Sequence, residues 1–74
     1  MNIIEAIRRA ENGDLITNNL LKKSDMFLKY ISNGVFYQYQ VVNDKPIYKY
    51  EVREFSMVHI LSIGWEVVVE NYFE

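Results

Sequence analysis

The chain has no cysteine, one proline, three glycines and one histidine. Without cysteine there is neither a disulfide nor a thiolate zinc site to staple so small a domain. A single histidine with no acid spaced to orient it, and no serine in a glycine elbow, argues against a hydrolytic triad; it reads as a surface histidine. Gly13, Gly34 and Gly64 each read as a helix stop or a turn, so no glycine-rich loop cradles a phosphate. No apolar run approaches the ~20 residues that span a bilayer, and no basic segment precedes an apolar one, so neither membrane insertion nor secretion is expected. The net charge of −2 has the wrong sign for routine nucleic-acid binding and is too small for a DNA mimic. The acidic residues form no paired-carboxylate signature, and no enzyme is expected.

What the chain does have is apolar surface: 50% of its 74 residues are hydrophobic and 15% aromatic. A domain this short buries only about 60% of the surface its unfolded chain exposes. Some of the apolar surface is therefore expected to meet a second copy, making a homo-oligomer. There is no linker, repeat or low-complexity tract, and residues 1–74 read as one domain.

Asn2 caps a helix expected from Ile3 to Asn12, with Ile3, Ile4, Ile7 and Ala10 on its apolar face and Gly13 ending it. A short strand over residues 14–17 precedes a polar loop, Thr17 to Asp25. There Leu20 and Leu21 fold onto a core edge or line a ligand pocket or subunit contact. Asn33-Gly34 predicts a type I′ hairpin turn. Its register sets Ser32 opposite Val35, Ile31 opposite Phe36, Tyr30 opposite Tyr37, Lys29 opposite Gln38 and Leu28 opposite Tyr39. One face then carries Met26, Leu28, Tyr30, Val35, Tyr37, Tyr39 and Val41 onto the helices. The other mixes Phe27, Phe36 and Ile31 with Lys29, Gln38 and Gln40 and suits a subunit interface.

A second turn, Asn43 to Pro46, leads to a half-buried strand from Ile47 to Glu54, with Tyr48, Tyr50 and Val52 inside and Lys49, Glu51 and Arg53 outside. Ser56 caps a short helix whose stripe of Met57, Ile60 and Leu61 faces the core. Gly64 stops it in a left-handed conformation, and Trp65 to Val69 form the most apolar strand. Glu70 to Glu74 read as a frayed end. The fold class is α+β: an N-terminal helix, an antiparallel sheet of about five strands with a central hairpin, and a short helix before the last strand. Tyr30, Tyr37, Tyr39, Tyr48 and Tyr50 either stack nucleobases or form core and interface; the basic groove of a nucleic-acid platform is missing.

Asn2-Ile3-Ile4-Glu5-Ala6-Ile7, Gly13, Ile16, Met26-Phe27-Leu28 and Ile60-Leu61-Ser62-Ile63-Gly64-Trp65-Glu66-Val67-Val68 together resemble the phage Thoeris anti-defence family of the second type. The resemblance spans nearly the whole chain, and its specific pieces are the first and last. Where that family carries an arginine followed shortly by a tryptophan, this chain has Thr17-Asn18-Asn19-Leu20-Leu21. The family's acidic pair before the last tryptophan is replaced by Ile63-Gly64.

The resemblance implies a dimer or tetramer in the host cell cytoplasm. It would sequester a bacterial immune signalling nucleotide, a cyclic ADP-ribose isomer or a cyclic oligonucleotide, without cleaving it and without a cofactor or metal. The ligand-binding candidates it implies are Asn18, Asn19, Lys22 and Lys23 for phosphate and Tyr37 or Tyr48 for stacking. The alternative it leaves open is a protein-binding inhibitor of a bacterial defence enzyme such as a CRISPR nuclease. A third is a structural or toxin-like phage product; the lack of a membrane-length segment argues against a pore former.

Overall fold

The computed structural model of the protein describes residues 1–10 and 14–68. The helix expected to run to Asn12 ends at Arg9, with Ala10 already extended; Asn12-Gly13, the end of the last strand at Val69 and the frayed end Glu70 to Glu74 lie outside the described residues. Helix α1 (Ile3–Arg9) opens on a capping box: the Asn2 Oδ1 accepts from the Glu5 amide at 2.8 Å, and the Glu5 carboxylate reaches back to the Asn2 amide. Strand β1 (Leu15–Thr17) leads into a helix, α2 (Asn19–Lys23), and then into the hairpin β2 (Met26–Ser32) and β3 (Val35–Val42). Strand β4 (Lys45–Val52), helix α3 (Met57–Leu61) and strand β5 (Glu66–Val68) complete the described chain. The five strands form one antiparallel sheet in the order β4-β3-β2-β1-β5.

Several local features depart from the sequence reading. The polar loop is partly helical, because Asn18 Oδ1 accepts the Leu21 amide at 2.8 Å and Leu21 packs onto the core. The first turn forms as expected, with Asn33 and Gly34 at φ 48° and 80° and Ser32 opposite Val35. Ile31 then bulges out, so Tyr30 pairs with Phe36, Lys29 with Tyr37, Leu28 with Gln38 and Phe27 with Tyr39. One extra residue moves Phe36 to the face of Leu28. The bulge gives up a ladder hydrogen bond worth about 1 kcal/mol. Burying the Phe36 ring returns roughly 2–3 kcal/mol, and burial wins.

A second register shift falls in β4, where Gln38 faces Tyr50 but Tyr39 faces Tyr48. Tyr48 is thereby on the face opposite Tyr50 and Val52, packed edge-on against Tyr37 and Tyr39. The second turn is narrower than expected: Asn43 and Asp44 alone make it, both at positive φ, and Lys45 and Pro46 already belong to β4. β4 is an edge strand exposed from Lys45 to Glu51, so the half-buried strand of the sequence reading is corrected.

The main core lies on the helical face, where Ile3, Ala6, Ile16, Leu28, Phe36 and Trp65 pack together. Trp65 is 2% exposed. Its indole Nε1 donates to the His59 carbonyl at 2.9 Å and its amide to the Met1 carbonyl at 2.9 Å, so one residue ties α1, α3 and the sheet. Leu15, Phe27 and Val68 form a smaller cluster on the opposite face.

The apolar stripe expected to pack α3 inward is a correction: Met57, Ile60 and Leu61 are all exposed. Ser56 has cap geometry but makes no side-chain cap bond. Gly64 does not take a positive φ. A Cβ there would lie 2.8 Å from Asn19 Nδ2, the movable end of an exposed side chain. Gly64→Ala is therefore expected to cost under about 1 kcal/mol. Gly34→Ala, forced to φ +80°, is expected to cost about 1 kcal/mol or more, read as urea midpoints.

Candidate functional site

Beneath α3, on the helical face of the sheet, lies a cleft of about 350 Å³. Gln38 and Tyr50, cross-strand neighbours on β3 and β4, form its floor with Val52; Leu21 of α2 and Phe55, Ser56 and His59 around α3 form its walls; Glu54 stands at the rim. Phe55 is fixed by edge-to-face contact with Phe36, ring centroids 5.0 Å apart.

The polar groups are oriented by their other partners. Asn18 is 1% exposed. Because its Oδ1 caps α2, its NH₂ must face His59, and Nδ2 lies 2.9 Å from His59 Nδ1. Only an unprotonated Nδ1 can accept that hydrogen bond, so the neutral ring carries its proton on Nε2. Gln38 is buried, and its Nε2 donates to the Met26 thioether at 2.9 Å. Sulfur is a weak acceptor, and no side-chain oxygen or nitrogen among the described residues is both buried and unpaired. The Gln38 oxygen is thus open to the cleft as an acceptor.

The result is an aromatic-walled cleft with an N–H donor from His59, an acceptor from Gln38, hydroxyls from Ser56 and Tyr50, and a carboxylate from Glu54. No lysine or arginine lines it. Its chemistry suits the edge and face of a planar nitrogen heterocycle and repels phosphate. Among the described residues no three acidic, histidine or cysteine side chains gather to hold a metal ion.

The six residues singled out from the sequence fall in two places. Asn18, Asn19, Lys22 and Lys23 follow one another along α2 and its cap. Both polar ends of Asn18 are occupied, and Lys22 Nζ pairs with Glu66 at 2.8 Å. Asn19 and Lys23 are exposed. Tyr37 and Tyr48 touch each other, centroids 5.2 Å apart, on the opposite face of the sheet. None of the six lines the cleft.

The reading of His59 as a surface histidine is corrected: it is half-buried and holds α3 to Asn18 through its ring and to Trp65 through its carbonyl. Its partner Asn18 is 41 positions away, so no local spacing signals the pair. Gln38 was legible only as a polar residue in an apolar strand. No helix among the described residues is long and apolar enough to cross a membrane. No family model, curated protein or solved structure matches the chain.

Proposed function

We propose that the protein captures a small ligand through a planar heterocycle in the cleft and holds it without chemistry. The carrying observation is the pair of oriented groups, the His59 Nε2–H and the Gln38 oxygen, in a cleft that Tyr50 and Phe55 also line. A donor and an acceptor above a stacking surface match the hydrogen-bonding edge of a nucleobase. Binding without cleavage is supported by the same tautomer. Ser56 and His59 share the cleft, but the ring's basic nitrogen is occupied by Asn18, so the histidine is not free to take the hydroxyl's proton.

The resemblance to the Thoeris anti-defence family supplies the ligand class: a signalling nucleotide, such as a cyclic ADP-ribose isomer or a cyclic oligonucleotide, sequestered in the bacterial host cytoplasm. Its base enters the cleft and its phosphates stay outside, away from Glu54; of the lysines on α2, Lys22 is paired with Glu66 and the exposed Lys23 offers positive charge.

A thermal-shift panel of cyclic ADP-ribose, cyclic dinucleotides and cyclic trinucleotides tests this. Ligand at a hundredfold its Kd adds about 2.7 kcal/mol, expected to raise Tm by roughly 10 °C or more in a domain this size. Heating should release the ligand with its mass unchanged. Gln38→Leu is expected to weaken capture about tenfold while the fold persists. No shift with any member sinks the reading. A second reading, an inhibitor that binds a defence enzyme, has the exposed apolar residues of α3 in its favour; a stable protein partner with no retained small molecule would select it.

A further inference from the structure

The outer side of α3 is bare. Met57, Val58, Ile60, Leu61 and Ile63 are 62%, 62%, 41%, 69% and 81% exposed. Those fractions leave on the order of 600 Å² of apolar residue surface uncovered. That is at the top of what a monomer ordinarily shows and close to the ~800 Å² one partner gives to a standard interface. The geometry points to this face as the contact between two copies of the chain, packed on itself across a two-fold axis.

Three observations select a second copy over other occupants. From Ser56 to Trp65 there is no charged side chain, so the face offers nothing to an acidic or basic partner. A helix that lies on a lipid surface carries lysines or arginines beside its apolar face, and α3 has neither. Another surface on which copies could join, the β4 edge, is blunted by Pro46 and by the register shift at Lys49.

The contact has a structural consequence for the cleft. A five-residue helix with no side-chain cap bond does not stand alone. Its inner side is fixed by His59, and a partner packed on the outer side would fix the rest, including the wall formed by Ser56 and His59. This consequence rests on the capture reading; the interface itself does not.

Sedimentation velocity without ligand tests the interface. The wild-type chain is expected to run as a dimer, or as a tetramer built from it, at about 50 µM. Leu61→Lys and Ile63→Lys should each weaken association at least about tenfold while Trp65 fluorescence stays native. Tyr48→Lys, on the opposite sheet face, should leave it unchanged. Should a lysine variant unfold, Met57→Gln and Val58→Gln are expected to weaken association in its place. A wild-type monomer at about 200 µM overturns the inference, as does an oligomer that all the α3 variants leave intact. Wild-type binding to phosphatidylglycerol vesicles that the α3 variants abolish would also overturn it. Failure of the nucleotide panel leaves this outcome untouched, so the two readings fail separately.

Discussion

Trp65→Ala is expected to unfold the domain at room temperature or bring it to the edge of unfolding. Truncating a buried tryptophan costs about 3–5 kcal/mol. A chain this short has roughly 4–11 kcal/mol of stability in total. The indole does more than fill space: it packs with Ile3, Ile16, Leu28 and Phe36, and its Nε1 anchors the His59 carbonyl. Trp65→Phe separates the two contributions. It keeps a ring in the core but removes the donor, for an expected loss of about 1–3 kcal/mol with the fold retained. Urea titrations followed by far-UV circular dichroism read both variants. If Trp65→Ala lowered the midpoint only slightly, Trp65 would not be the joint between α1, α3 and the sheet.

Asn18→Ala should have the second largest effect, although the residue belongs to neither main apolar cluster. Its side chain caps α2 and holds α3, joining the two helices. Losing the cap costs about 1 kcal/mol. Leaving the Leu21 amide and His59 Nδ1 without partners adds a further 1–2 kcal/mol or so. The expected total of about 2–3 kcal/mol should come with weaker nucleotide capture, because the α3 wall is released. Asn18→Asp tests the tautomer. It retains the acceptor for Leu21 but turns a second oxygen toward Nδ1, so the neutral ring must move its proton from Nε2 to Nδ1 to keep the contact. Imidazole ¹⁵N spectra are expected to place the neutral ring's proton on Nε2 in the wild type and on Nδ1 in the variant. The same nitrogen protonated in both would contradict the assigned orientation.

Much of the fold was legible from local chemistry. Asn2 with Glu5 three residues on is a complete capping box, and Asn33-Gly34 fixed the turn of the central hairpin. The two register shifts were not legible, because a bulge inserts a single residue whose sign is decided by what lies beneath the sheet. Phe36 goes inward to meet Phe55, Leu28 and Trp65, residues from three separate stretches of the chain. The same shift in β4 sends Tyr48 and Tyr50, two apart and expected together, to opposite faces.

Helix α2 is not legible in the sequence because five residues carry less than two turns of periodicity, and its capping Asn18 reads equally well as a loop residue. The candidate site was the least legible part. Cations and stacking tyrosines are what the sequence offers a nucleotide. The cleft instead uses a glutamine and a histidine whose orientations are set by Met26 and Asn18, partners that no spacing rule connects. Exposure of the α3 stripe carries a related lesson. Apolar spacing of three and four marks a face that needs covering, but it does not say whether the chain's own core supplies the cover.

The most direct test of the central claim is a ¹⁵N–¹H correlation spectrum of the intact protein, recorded with and without cyclic ADP-ribose and the cyclic di- and trinucleotides. Capture in the cleft predicts that a bound member shifts the Gln38 side-chain amide and the backbone amides of Phe55, Ser56 and His59, while those of Tyr37 and Tyr48 hold still. Shifts confined to the Tyr37 and Tyr48 face, or a spectrum unchanged by every nucleotide, would contradict it.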